Sequence, residues 1–371
     1  MKEIETIKEL EELLKGGREI ANCAFQNLDL IGYEERFKQK EVTNCLFMGC
    51  NISNNYTKEI IDGKNLVFPA MDVPFETYPA DLYTRDTMYN NFNPDQPESY
   101  NNTYDKKTYD HYVKNGRHSP DSIYETLARR LHDHSITDAL MDILDNVPAK
   151  KVVAIMGGHG LSRKSSDYLK VAQIAKALSE KDFFLLSGGG PGAMEATHLG
   201  VWFDGYSDSD MQKGIDLIAQ APMFNDELWL SKAFEVINKF PKISDKENDI
   251  GIPTWLYGHE PPTPFASKIA KYFANSVREE GLLALATGGI IYTPGSAGTI
   301  QEIFQDATQN HYNSYGIISP MIFYNKTFWT KDKPVYPLLK KLAEGFEYEN
   351  LLSISDDVSE IVDELVKFSN S

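Results

Sequence analysis

Two hydrophobic rhythms divide the chain. From Lys151 onward, short apolar runs end in glycine and lead into stretches with helical spacing. Residues 152–156 are wholly apolar and end in Gly157-Gly158-His159-Gly160. Residues 168–178 then place Leu169, Ala172, Ala175 and Leu178 on one helical face. A second apolar run, 183–186, ends in Ser187-Gly188-Gly189-Gly190-Pro191-Gly192, and a helix is expected from Ala193. Further strands are expected at 250–256, 289–292 and 316–323. Helices are expected at 266–285, 299–309, 335–343 and 358–368. Strands alternating with helices, with glycine at the strand ends, predict an α/β fold: a parallel sheet with helices on both faces.

Residues 1–118 read differently, as an N-terminal accessory region that contains strands. Asn22-Cys23-Ala24-Phe25 and Asn44-Cys45-Leu46-Phe47 stand 22 residues apart, each followed five positions on by an apolar residue, Leu30 and Ile52. They resemble two turns of a strand-rich repeat, but two copies do not define a solenoid. Residues 89–118 are rich in Asn, Tyr, Asp and Pro and are expected to be loop, with the tyrosines packed against something. Ser119 as N-cap and Pro120 at the first helical position predict a helix through Ile123, Leu127 and Leu131. A second helical stretch spans 136–144. Residues 119–371 form the expected α/β domain. Acidic, Trp- and Phe-containing residues 204–249 interrupt its alternation as an insertion, expected to act as a lid.

Charge narrows the partners. The chain has 371 residues with 37 Lys+Arg against 54 Asp+Glu, a net charge of −17. Nucleic-acid backbones and anionic membranes are therefore poor partners, because binding either depends on Lys and Arg. A small anion is not excluded, since backbone N–H groups bind phosphate whatever the global charge. Cys23, Cys45 and Cys50 have neither CxxC nor zinc spacing, and read as small buried hydrophobes. The N-terminus is charged and amphipathic, unlike a signal peptide, and no apolar run spans a bilayer, so a cytoplasmic location is expected.

In an open parallel sheet, ligands bind outside the carboxyl ends of the strands. Three glycine-rich turns fall there: 157–160, 188–192 and 295–298. One such turn only permits a tight corner; three in one domain point to a close backbone approach to a ligand. The third reads Pro294-Gly295-Ser296-Ala297-Gly298-Thr299-Ile300-Gln301-Glu302. Gly295 to Thr299 suit an N–H cradle with a hydroxyl for phosphate. Glu302, one turn into the helix, would be repelled by a phosphate. Either it faces the attached sugar, stabilising positive charge or activating water, or it only complements the helix dipole. Both readings stand on spacing. A dinucleotide dehydrogenase is disfavoured, since the first turn lacks GxGxxG and no acid ends the second strand.

Residues 188–195 (Gly188-Gly189-Gly190-Pro191-Gly192-Ala193-Met194-Glu195) and 294–302 resemble the two signatures of the LOG-type, "lysine decarboxylase-like" Rossmann family, the second written PGGxGTxxE. Gly157-Gly158-His159 and Glu260-Pro261-Pro262-Thr263-Pro264 make the chain most similar to that family's nucleoside-5′-monophosphate nucleosidase branch. The resemblance covers about residues 150–345 and none of 1–115. It implies a Rossmann-like doubly wound sheet and hydrolysis of a nucleotide's N-glycosidic bond to base and ribose 5-phosphate. It also implies no metal or redox cofactor, and a homo-oligomer of two or more copies. The implied catalytic pair is Arg278 and Glu302. The implied nucleotide contacts are Gly157, Gly158, His159, Gly189, Gly190, Gly192, Met194, Glu195, Gly295, Ser296, Ala297, Gly298 and Thr299. Glu195 reads equally as a ribose ligand or a helix-start acid, and His159 as a phosphate contact or a surface turn residue. The base pocket is expected from 204–249 and 257–265. Two departures from the family pattern matter. Arg278 stands one residue farther from Pro294 than expected. Ser296 and Ala297 replace Gly and a variable residue; Ser296 would be strained if the turn needed φ > 0, and otherwise adds a donor. A non-catalytic nucleotide sensor of the same fold is the alternative.

Overall fold

The computed structural model describes residues 1–257 and 260–371. It comprises two compact units, residues 1–82 with 113–142, and residues 83–112 with 143–371.

The first unit is a stack of parallel rungs: β1 (Lys2–Ile4), β2 (Glu19–Ala21), β3 (Cys23–Gln26), β4 (Glu41–Thr43), β5 (Leu46–Met48) and β6 (Leu66–Phe68). Their order is β1-β3-β5-β6, with β2 paired to β4. Helices α1 (Ile7–Lys15), α2 (Glu34–Lys38) and α3 (Asn54–Asp62) carry the chain between rungs. Thr6 and Glu9 start α1 with a reciprocal capping box. The two Asn-Cys motifs are successive rungs, with Ala24 opposite Leu46 and Phe25 opposite Phe47. The two Phe rings stack with centroids 4.7 Å apart. Asn22 and Asn44 take φ of 56° and 52°, which asparagine tolerates at a corner, and the Asn44 amide donates to Asn22. Asn65 serves the next coil, accepting from the Cys45 amide at 2.9 Å. The first and last rungs lack the motif, so sequence showed only the middle two. Cys23 and Cys45 are buried, and all three cysteines are free.

Residues 89–118, which pass from the second unit into the first, are not the loop their composition suggests. After α4 (Arg85–Met88) comes a 3₁₀ turn (Pro97–Asn102), then α5 (Tyr104–Lys114). The Thr103 hydroxyl accepts from the Lys106 amide, starting α5. Asp105, Thr108 and Tyr112 form its buried face. The expected packing of the tyrosines does occur: Tyr89 is buried and donates to the Pro262 carbonyl. The next two expected helices are one, α6 (Ile123–Leu144). Its cap is Ser122, not Ser119: the Ser122 hydroxyl accepts from the Glu125 amide, and a Gly116–Ser119 turn closes before it.

The main sheet holds β7 (Val152–Met156), β8 (Phe184–Ser187), β9 (Asp249–Gly251), β10 (Lys268–Ile269), β11 (Gly289–Tyr292), β12 (Met321–Tyr324) and β13 (Leu352–Ser355). All seven are parallel, in the order β10-β9-β8-β7-β11-β12-β13. The helices are α7 (Ser166–Ser179), α8 (Ala193–Trp202), α9 (Asp208–Ile218), α10 (Trp229–Lys239), α11 (Asn275–Leu285), α12 (Ala297–Tyr312), α13 (Val335–Ala343) and α14 (Val358–Ser369). The sheet is a Rossmann-like, doubly wound α/β fold. Three expectations shift. Residues 266–285 are not one helix, because Ala270 and Tyr272 donate to Gly251 and Pro253 and hold the first part extended. The strand expected from 316 starts only after Pro320. Edge strand β13 was not foreseen; its LSIS sequence is too short and mixed to signal a strand. Among the described residues, no helix is long and apolar enough to cross a membrane.

Residues 204–249 contribute α9 and α10, whose Met211, Ile215, Val236 and Ile237 join the same core as α7 and α8. They are a packed layer and not a lid. Arg163 pins them. Its guanidinium donates to Glu195 at 2.8 and 2.5 Å and to the carbonyls of Ile218, Ala221 and Trp229 at 3.0–3.3 Å. Arg163 and Glu195 are at most 1% exposed. Replacing Arg163 with alanine strands a buried carboxylate and three carbonyls. It should cost about 3–5 kcal/mol in urea unfolding, whereas the double change R163M/E195L should cost less than R163A alone. A single-variant loss under about 1 kcal/mol would contradict this role.

Candidate functional site

The chain runs from β7 outward through β8 and β9, then returns to the other side of β7 as β11. That reversal opens a crevice at the strand carboxyl ends, where such sheets bind ligands. The three glycine turns follow β7, β8 and β11, so they meet there. A cavity of about 550 Å³ occupies the crevice.

Gly157, Gly158, His159, Gly190, Met194, Ser296, Ala297, Gly298 and Thr299 line it together with Arg278 and Glu302. Bare backbone is required where the turns touch. A Cβ on Gly157 would stand 2.0 Å from Thr293 Oγ1 and 2.6 Å from Ala193 Cβ. Gly295 lies directly behind the wall, where a Cβ would meet Thr299 Oγ1 at 2.1 Å. Gly189 and Gly192 also sit behind the surface. Both have positive φ, and Gly189 is pressed against Gly251, Ile252 and Pro253.

Glu195 is not on the cavity wall. Both its oxygens are taken by Arg163, and one also accepts from Tyr168 at 2.9 Å, all deep in the core. Proximity in sequence to the glycine turn suggested a ligand; the helix turns this side chain the other way. Ser296 has φ −116° and ψ −145°, so serine fits the N-cap position of α12 without left-handed strain. Ser296, Ala297 and Gly298 are exposed, and the first-turn amides of α12 have no intrahelical acceptor. The helix dipole adds positive potential at that end.

Arg278 comes from α11 and is 8% exposed. Asn275 accepts from its Nε and Nη2 at 3.1 and 2.8 Å, which leaves Nη1 directed at the Gly188 turn. Asn275 also donates to Glu279 and to the Tyr257 hydroxyl, each at 2.9 Å. Glu302 is half-buried on α12. Burial pushes its carboxyl up to about 7; Arg278 pulls against that and Glu279 adds to it. Glu260 is likewise raised by burial, opposed by His159, Lys271 and Arg278. The wall thus includes Tyr257 and Glu260, from the segment expected to build the base pocket, and Glu279, which carried no expected role. Only Glu260 stood in a recognisable motif. Gly258 and His259, part of the expected base pocket, lie outside the described residues.

A second arrangement escaped sequence reading because its members lie far apart in the chain. His198 Nδ1 meets Asp249 Oδ2 at 2.6 Å, and its Nε2 meets Ser187 Oγ at 2.7 Å. The carboxylate holds the ring proton on Nδ1, so Ser187 donates to Nε2 and its oxygen accepts from the Gly189 amide at 3.0 Å. All three side chains are at most 1% exposed, so they position the second glycine turn. Among the described residues, no group of three or more His, Cys, Asp or Glu is arranged to hold a metal ion.

No protein-family model matches the chain, and no curated protein matches it. Among solved structures, it is similar to a molybdenum cofactor binding protein from the phototrophic bacterium Rippkaea orientalis. The two are 14% identical with a TM-score of 0.37, over 59% of this chain and 96% of the other.

One turn beyond Glu302, Asp306 accepts from the Tyr292 hydroxyl at 2.7 Å, and burial lifts it to about 7 as well. A carboxyl raised in the folded state stabilises below its unfolded value near 4, and that contribution is lost as pH rises to about 7. Asp306→Asn should therefore flatten part of the decline in urea stability between about pH 4 and 7. An unchanged slope would refute the assignment.

Proposed function

We propose that the cleft hydrolyses the N-glycosidic bond of a nucleoside 5′-monophosphate, releasing the base and ribose 5-phosphate. One observation carries the reading. The exposed N-terminus of α12, half-buried Glu302 one turn along it and buried Arg278 from α11 face one cavity. The resemblance of residues 188–195 and 294–302 to the LOG-type signatures supports the same chemistry.

The amides of Ala297 to Thr299 and the Ser296 hydroxyl are suited to hold the phosphate. Glu302 follows one turn later on the same helix and lines the same cavity, where the attached sugar would lie. As the bond from C1′ to the base nitrogen breaks, its electron pair leaves with the base and positive charge grows on the ribose. The Glu302 carboxylate stabilises that charge and accepts the proton of the water whose oxygen bonds to C1′. The base nitrogen takes up a proton in turn. Arg278 supplies a fixed cation for the phosphate or the departing base. Burial matters here, because a carboxyl near 7 is a far better proton acceptor than one near 4.

The base must be ionised, so kcat should rise with pH through about 7. Glu302→Gln should lower kcat by about 10²–10⁴-fold, remove that limb and leave nucleotide binding nearly intact. Released base, measured from AMP, GMP, CMP, UMP and IMP, is the readout. Binding with no release from any of the five would make the chain a nucleotide-binding protein instead. Full turnover in the Gln variant would remove Glu302 from the mechanism.

A further inference from the structure

We infer that an aromatic pocket beside the glycine cleft seats a nucleobase bearing an amino group. This rests on the nucleotide reading of the cleft and names the part of the ligand which that reading leaves unplaced. The pocket has a volume of about 370 Å³ and is walled by Phe92, Tyr100, Phe224 and Trp229, with Pro97 and Pro261 beside them. Flat aromatic faces with apolar flanks suit a stacked planar ring.

Two seams join pocket and cleft. His159, on the cleft wall, meets the Phe224 ring edge-on with centroids 5.9 Å apart. Glu260, also on the cleft wall, is followed directly by Pro261 in the pocket. A ligand lying across the His159–Phe224 seam reaches both spaces.

The charges give that ligand a direction. Among the described residues, the pocket lining includes Asp226 and Glu227 but no Lys, Arg or His. Asp226 Oδ2 already accepts from the Met223 amide at 2.7 Å, which holds its carboxylate in place. Carboxylates accept hydrogen bonds from an amino edge and repel a phosphate. The cleft carries Glu260, Glu279 and Glu302 too, but unlike the pocket it also has Arg278 and the exposed helix-start amides of α12. The phosphate therefore goes to α12 and the base to the aromatic pocket.

The pocket walls are held in place by buried ion pairs. Tyr100 donates to Asp105 at 2.7 Å, and Asp105 pairs with buried Lys271 at 2.6 Å. Trp229 lies under the Arg163 guanidinium, 4.6 Å from its ring centroid. A shape fixed before binding loses little side-chain freedom when a base enters.

The test is calorimetric titration of the full chain with adenosine, inosine and ribose 5-phosphate, and with AMP in the Glu302→Gln background, where AMP is not turned over. Phe224→Ala should weaken adenosine and AMP about tenfold or more and leave ribose 5-phosphate unchanged. Phe92→Leu, which keeps the volume filled, should weaken adenosine in the same direction. Adenosine should bind more tightly than inosine, with a smaller preference in Glu227→Gln. Equal adenosine affinity in wild type and both Phe variants overturns the pocket assignment, and so does the absence of adenosine binding. Inosine binding as tightly as adenosine overturns the amino selection. Phe224-dependent adenosine binding without any ribose 5-phosphate binding overturns the phosphate site and leaves the pocket assignment standing.

Discussion

The peptide groups of Gly158 tie the site together. Its N–H donates to the Pro294 carbonyl at 3.1 Å, and its own carbonyl accepts from the Ala193 amide at 3.1 Å. The turn after β7 is thereby joined on one side to the turn after β11 and on the other to the start of α8. Such bonds need backbones nearly in contact. A Cβ on Gly192 would come within 2.4 Å of the Gly158 carbonyl oxygen. These glycines serve the protein's own packing first, and the cleft surface follows from it. The arrangement also separates two helix starts that look alike in sequence. The first amide of α8 is consumed by Gly158, whereas α12 presents its first turn to the cavity.

Two Glu–Arg combinations follow those helix starts and meet different fates. Glu195 and Arg163 form a direct pair with no exposure, further satisfied by Tyr168 and three carbonyls. Such a pair is costly to break and has no capacity left for a ligand. Arg278 is held instead by the neutral amide oxygen of Asn275, and its Nη1 faces the turn at Gly188. At Glu302 desolvation outweighs the pull of Arg278 and lifts the carboxyl toward neutrality. The same residue types thus give a structural clasp in one place and a proton-accepting candidate in the other.

Much of the sheet was legible because its strands are buried on both faces and end in glycine. β7, β8 and β11 stand out as apolar runs for that reason. Elements whose order is set by partners were less visible. Lys268–Ile269 is extended because β9 and its continuation on one side and Tyr83 on the other supply the hydrogen bonds. Leu352–Ser355 is an edge strand with mixed burial. The Asn- and Tyr-rich segment has loop composition, yet Asp105 finds Lys271 and Trp255 across 166 and 150 positions of chain and anchors a helix. In the N-terminal unit, the paired Asn-Cys motifs marked two rungs, while Lys64, with φ of 64°, takes the same corner before the last rung.

The sequence by itself determined the α/β alternation, the positions of the three glycine turns and the helix that starts beside Glu302. Glycine and apolar periodicity act over a few residues and can be read locally. Tertiary structure decided which of those residues share a space and which way each side chain points. It turned Glu195 into the core, brought Arg278 and Glu302 to one cavity from separate helices, and set Phe92 and Tyr100 around the same pocket as Phe224 and Trp229. Those outcomes depend on strand order and on buried partners far apart in the chain, and no local spacing encodes them.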